Sequence, residues 1–165
     1  MAILIPIFDW FKGVQLYISC LFYKINRRFL LSIALLVCSL HLQAGTKPDV
    51  PENIEGASNL SAEQVIELIL SNPGLVIIDS RKKTEYVKGH IEGSINILNT
   101  QLTESDLQKV LPDKSAQVLF YCNGNRCMRS ADATRKALSW GYNRVYWFRG
   151  GWKEWTNKKL PVITE

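Results

Sequence analysis

Cys122 and Cys127 stand in the run Phe120-Tyr121-Cys122-Asn123-Gly124-Asn125-Arg126-Cys127-Met128-Arg129-Ser130, and the types and spacing around them suit nucleophilic sulfur chemistry. Cys122 directly follows an apolar stretch, Val118-Leu119-Phe120-Tyr121, that reads as a buried strand. A short loop with a glycine and two arginines comes next, and a helix is expected to open at Ser130. That layout is an anion cradle with a thiol at its base: loop N–H groups and the positive end of the helix converge on one point. Together with the arginines they favour the ionised thiol, which is the reactive form. Arg126 and Arg129 are the candidate anion-holding side chains, and Asn123, Gly124, Asn125 and Met128 are the remaining loop candidates for substrate binding. For Arg126 a solvated loop cation is an equal reading. At Cys122 the bland alternative is an inert buried cysteine, which its place at the head of a loop disfavours.

The elements that must position this loop follow from local pattern. Ser61-Ala62-Glu63-Gln64 has the form of a capping box and opens a helix with the apolar stripe Val65, Ile66, Leu68, Ile69; Asn72-Pro73-Gly74 stops it. Leu75-Val76-Ile77-Ile78, ending in Asp79, predicts a strand buried on both faces. A short helix around Thr84 to Lys88 and a strand over Ser94 to Leu98 follow. A helix over Glu104 to Leu111 then leads to the central strand Gln117 to Tyr121. The last predicted elements are a helix from Ser130 to Trp140 stopped by Gly141, a strand over Arg144 to Phe148, and a helix from Gly151 to Lys158. Strands alternating with helices imply an α/β fold, a parallel sheet covered on both faces.

The chain has 165 residues, of which 47% are hydrophobic, room for one compact domain and a leader. Residues 1–44 read as the leader: Lys24, Arg27 and Arg28 precede an apolar run from Phe29 to Leu42, and small residues follow. The run is shorter than the roughly 20 residues of a spanning helix. A signal peptide and an exported, periplasmic domain are therefore expected, with an uncleaved membrane anchor as the alternative. Residues 45–58, rich in Pro, Gly, Asn and acids, read as a linker, and 59–165 as the folded domain. Of the 20 Lys+Arg and 15 Asp+Glu, the leader holds Lys12, Lys24, Arg27, Arg28 and Asp9, which leaves 16 and 14, a formal charge of +2. Nucleic acid is not an expected partner at that charge. Cys20 and Cys38 also belong to the leader, so the domain keeps Cys122, Cys127 and His90. Two cysteines and a distant histidine do not make a tetrahedral zinc site without carboxylates, so no metal is expected.

From about Leu60 to Pro161 the chain resembles the rhodanese (sulfurtransferase) family. Four separated segments carry the resemblance: Ile78-Asp79-Ser80-Arg81, Gly89-His90-Ile91-Glu92-Gly93-Ser94-Ile95-Asn96-Ile97, the Cys122 loop into Ser130, and Gly141-Tyr142 with Gly150-Gly151-Trp152-Lys153-Glu154-Trp155. Each is weak alone, and their order and spacing make them strong. The resemblance implies a central parallel sheet of about five strands flanked by helices on both faces, with the active cysteine in the loop after a central strand. It also implies persulfide chemistry with no bound cofactor, in which Cys122 takes a sulfane sulfur from a small anionic donor such as thiosulfate. The acceptor would be a thiol or a cyanide-like nucleophile, with a protein thiol as a further partner and a membrane involved only through an uncleaved leader.

Two departures from the family pattern stand out. Members acting on thiosulfate usually have four residues between the cysteine and the loop-closing arginine, and phosphatase relatives have five. Here six, Asn123 to Met128, separate Cys122 from Arg129. A wider loop predicts a wider cradle. The second departure is Cys127, readable as a resolving thiol that attacks a Cys122 persulfide and releases sulfide, or as a structural disulfide or an inert residue. Asp79 and Arg81, at a strand end, are expected to pair with each other or to order the turn beside the loop, His90 to be a hydrogen-bonded turn residue, and Trp147, Trp152 and Trp155 to pack the last strand and helix or line a pocket mouth. Three other functions compete: a redox protein cycling Cys122 and Cys127, phosphate or arsenate chemistry in the widened loop, and a non-catalytic sulfur-carrier or binding module. Tyr121 in place of a histidine before Cys122, and no acid in the loop, count against a phosphatase.

Overall fold

The computed structural model describes residues 50–165; the expected leader and the first residues of the expected linker lie outside them. The described chain runs β1 (Ala57–Asn59), α1 (Ala62–Ser71), β2 (Val76–Asp79), α2 (Lys83–Tyr86), β3 (Ser94–Asn96), α3 (Glu104–Val110), β4 (Gln117–Tyr121), α4 (Met128–Ser139), β5 (Arg144–Phe148) and α5 (Gly151–Asn157). The strands form one sheet in the order β1-β5-β4-β2-β3, and every neighbouring pair is parallel. The expected α/β architecture is what the chain builds.

β4 lies at the centre with all five residues buried, which is why it reads as an unbroken apolar run rather than an alternating one. Its side chains point alternately to the two faces. Val118 and Phe120 pack with Ile78, Leu107, Ala133 and Ala137, beneath α3 and α4. Leu119 and Tyr121 pack with Val65, Ile77, Phe148 and Trp155, beneath α1 and α5. The capping box forms as expected: the Gln64 N–H donates to Ser61 Oγ at 3.4 Å and the Ser61 N–H to Gln64 Oε1 at 2.9 Å. Glu154 of α5 takes a third free donor of α1, the Ala62 N–H, at 2.9 Å, which pins the two helices together at this end.

Two expectations change. The stretch read as linker contains β1, an edge strand paired with β5 in the register Ala57↔Val145 to Asn59↔Trp147 and backed by Ile54, which is buried against Ala131 and Trp147. And α4 begins at Met128 rather than Ser130, with Cys127 as its N-cap residue. Ser130 has the chemistry of a cap, but its hydroxyl is buried and committed elsewhere, as described next.

Candidate active site

β4 ends at Tyr121 and delivers Cys122 to the C-terminal edge of the sheet, the edge where α/β sheets bind ligands. The loop then folds back, its turn closed by the Cys127 N–H donating to the Gly124 carbonyl at 2.8 Å. Two N–H groups at the start of α5 hold the loop from outside: Trp152 donates to the Cys122 carbonyl at 2.7 Å and Lys153 to that of Asn123 at 3.1 Å. This approach requires glycine at Gly151, where φ is +52° and a Cβ would overlap the Cys122 carbonyl.

The sulfurs of Cys122 and Cys127 are bonded to each other, their Cα atoms 6.5 Å apart. The two differ in surroundings. Cys122 is 1% exposed, whereas Cys127 is half-buried and forms part of the wall of an open cavity of about 800 Å³. The Ser130 hydroxyl lies 3.4 Å from the Cys122 sulfur as its hydrogen-bond donor, and its oxygen accepts the Trp147 indole N–H at 3.0 Å. The Arg129 Nε–H lies 3.4 Å from the Cys127 sulfur.

Residues 61–158 match the family described as "Rhodanese-like domain". The chain belongs to that family. Among curated relatives it is 27% identical over 96 residues to the "Uncharacterized protein YibN" of Escherichia coli strain K12, an alignment covering 58% of this chain and 65% of that protein. It thus spans somewhat under two thirds of the length of YibN. It is 25% identical over 117 residues to the "Thiosulfate:glutathione sulfurtransferase" of Saccharomyces cerevisiae, covering 64% of this chain and 83% of that one. Among solved structures, the thiosulfate sulfurtransferase of Pseudomonas aeruginosa superimposes with a TM-score of 0.57 at 27% identity, over 66% of this chain and 20% of that one.

In this rhodanese-like domain the cavity brings together Asn123, Gly124, Asn125, Arg126, Cys127 and Arg129, all of which the sequence singles out. Cys122 and Met128 are not on its wall; Met128 is the first residue of α4. The opposite wall comes from α5 and its end: Lys153 and Glu154, which fall in the Gly150–Trp155 segment of the resemblance but carry no expected site role there, and Asn157 and Lys158, which no signal in the sequence marks. Arg129 is held by a residue the sequence also leaves unmarked. Glu85 of α2 accepts from Arg129 Nη1 at 2.8 Å, from Asn123 Nδ2 at 2.6 Å and from the Lys82 N–H at 3.0 Å. One carboxylate therefore clamps both ends of the loop. Partial burial pushes the Glu85 carboxyl up, but the bonds from Arg129, Asn123 and the Lys82 backbone outweigh it and hold the group at about 2. A folded-state value below the unfolded one means stability that is complete above pH 4.5 and is lost as pH falls towards 2. Glu85→Gln should flatten that acid limb of the stability profile, measured by denaturant unfolding between pH 2 and 5; an unchanged limb would remove Glu85 from the account.

Asp79 and Arg81 meet at the end of β2. Arg81 forks onto Asp79, Nη2 to Oδ2 at 2.6 Å and Nε to Oδ1 at 3.0 Å, donates to the Gly89 carbonyl at 2.7 Å, and lies over the Trp152 ring at 4.4 Å. Burial works against the Arg81 charge and Asp79 overrides it, so its pKa is raised. His90 stacks on Tyr86 at 3.8 Å, its Nδ1 lies 3.1 Å from the Tyr86 carbonyl, and its backbone pairs with Ile163. Trp147 and Trp155 are buried in the core, and neither they nor Trp152 line the cavity.

Proposed function

We propose that this chain is a sulfurtransferase that carries a sulfane sulfur on Cys122, from an anionic donor such as thiosulfate to a thiophilic acceptor. The observation that carries the reading is the Cys122 sulfur itself. It is fixed at the end of the central strand, solvated by one hydroxyl whose own oxygen is anchored by Trp147, and placed behind a cleft with Arg126, Arg129 and Lys153 on its walls. A thiolate there keeps a hydrogen-bond donor and a cationic neighbourhood, which lowers the cost of ionisation. Once the loop disulfide is reduced, the Cys122 thiolate attacks the outer sulfur of thiosulfate. The S–S bond of the donor breaks, and sulfite leaves with the electron pair. The acceptor, a thiolate or cyanide, then takes the outer sulfur of the persulfide and returns the Cys122 thiolate. The yeast relative's name joins thiosulfate to glutathione, which supports a small thiol as acceptor here.

The Cys122–Cys127 bond favours a second reading, a redox protein in which the two thiols cycle. One experiment separates them. The full chain, reduced and then exposed briefly to thiosulfate, should gain one sulfur atom in intact mass, and Cys122→Ser should gain none. Turnover by Cys122→Ser should fall at least ~1000-fold, as for removal of other catalytic nucleophiles. Cys127→Ser retaining transfer supports the sulfurtransferase. Loss with either change supports the redox pair, and indifference to both would leave a binding module.

A further inference from the structure

We infer that Cys127 is the sulfur attacked when the loop disulfide opens, that the attacking group is an anionic thiol, and that Cys122 leaves as the thiolate that does the sulfur chemistry. The inference rests on the proposed function for the use made of Cys122; its own chemistry is thiol–disulfide exchange, which proceeds whether or not a persulfide ever forms. Access decides which sulfur is attacked. Cys122 is 1% exposed and absent from the cavity wall, while Cys127 stands on that wall between Arg126 and Arg129. The Arg129 Nε–H, 3.4 Å from the Cys127 sulfur, would stabilise charge on that side too, so access and not leaving-group stability selects the site; the Cys122 side is nonetheless prepared to receive the charge. Negative charge arriving on the Cys122 sulfur meets the Ser130 hydroxyl, already oriented by the Trp147 indole, and a better-stabilised thiolate leaves faster.

Charge decides the class of thiol. Arg126 and Lys153 on the cavity wall have no carboxylate partner among the described residues, while Arg129 is matched by Glu85 and Lys158 by Glu63. The wall's own acid, Glu154, has one oxygen engaged by the Ala62 N–H. The approach to Cys127 is therefore net cationic, and a thiolate that bears further carboxylates is drawn to it. The step balances as follows. A thiolate bonds to the Cys127 sulfur, the bond between the two protein sulfurs breaks, and its electron pair goes to Cys122. A second thiolate attacks the sulfur of the bound thiol, releasing a small-molecule disulfide and the Cys127 thiolate. Two thiols are oxidised and one protein disulfide is reduced.

The test uses the oxidised full chain carrying Cys20→Ser and Cys38→Ser, so that only the loop cysteines report. It is mixed with glutathione, 3-mercaptopropionate, 2-mercaptoethanol or cysteamine and quenched in acid at short times. Free thiols are then blocked, and trypsin, cutting after Arg126, places Cys122 and Cys127 on separate peptides. The expected first product carries the thiol on the Cys127 peptide and the block on the Cys122 peptide. Per thiolate, the carboxylate-bearing probes should react roughly tenfold faster than cysteamine, a gap that narrows with salt. A first product with the thiol on Cys122 overturns the site of attack. A faster reaction with cysteamine overturns the charge class, and no reduction by any probe overturns the whole inference. Failure of the proposed function would appear elsewhere, as a missing sulfur atom after thiosulfate with exchange at Cys127 intact.

Discussion

Replacing Arg81 by alanine should destabilise the domain by about 3–5 kcal/mol, because it leaves the buried Asp79 carboxyl without its counter-charge. Asp79 is wholly inaccessible, at 0% exposure, and Arg81 nearly so, at 1%, so water cannot take over the lost bonds. The same change empties the space beneath Trp152, whose backbone N–H holds the Cys122 carbonyl, and frees the Gly89 carbonyl. At about 4 °C per kcal/mol for a domain of this size, the thermal midpoint should fall by roughly 12–20 °C. Calorimetry of the purified chain checks it, and a drop smaller than about 4 °C would mean that the pair contributes little. The double replacement Asp79→Leu with Arg81→Leu provides the contrast. Removing both charges together should cost far less than removing one, since no unmatched ion remains.

Gly151→Ala should strike the chemistry harder than the fold. Its backbone conformation alone costs about 1–2 kcal/mol for any residue with a Cβ. The new methyl group also meets the Cys122 carbonyl, a backbone atom that cannot swing aside. Relief requires the loop to move away from α5, lengthening the hydrogen bond from Trp152 and displacing the sulfur. A displacement near 1 Å at a reacting atom can reduce rate roughly 100-fold, so sulfur transfer should fall by that order while the protein remains folded. Steady-state kinetics beside a thermal melt checks it. Wild-type turnover in Gly151→Ala would show that the contact between α5 and the loop does not set the position of Cys122.

The sequence revealed those elements whose signal is local. β2 and β4 announce themselves as apolar runs because both of their faces are buried, and α1 by a capping box within four residues. The placement of Asp79 and Arg81 two positions apart at a strand end offers a pairing or an ordered turn as alternatives, and the structure shows the pair. What escaped is held by distant partners. β1 has no apolar run, since its side chains are half-buried or exposed; its strand character comes from hydrogen bonds to β5, some 88 positions away in the register Ala57↔Val145. Glu85 lies 38 residues from Asn123 and 44 from Arg129, and no periodicity links them. The early start of α4 has the same origin. Ser130 has a capping residue's chemistry, but its hydroxyl is claimed by Trp147 and Cys122, and the helix begins two residues sooner. Lys153, Asn157 and Lys158 share a cavity wall with residues 123–129 only because α5 is set beside the loop, a proximity that no local pattern in the sequence encodes.

The path from the Trp147 indole through the Ser130 hydroxyl to the Cys122 sulfur joins the interior of the domain to the edge of the sheet. Trp147 is a core residue, packed with Ile54 and Ala131, and would ordinarily be exchangeable for another large apolar side chain. Here it is not, because a ring without an N–H leaves the hydroxyl beside the sulfur free to turn. A buried core tryptophan is thereby tied to the reactivity of an atom at the sheet edge. Mutations that merely repack the interior on the β1 side of the sheet will be felt at the sulfur before they are felt in the fold.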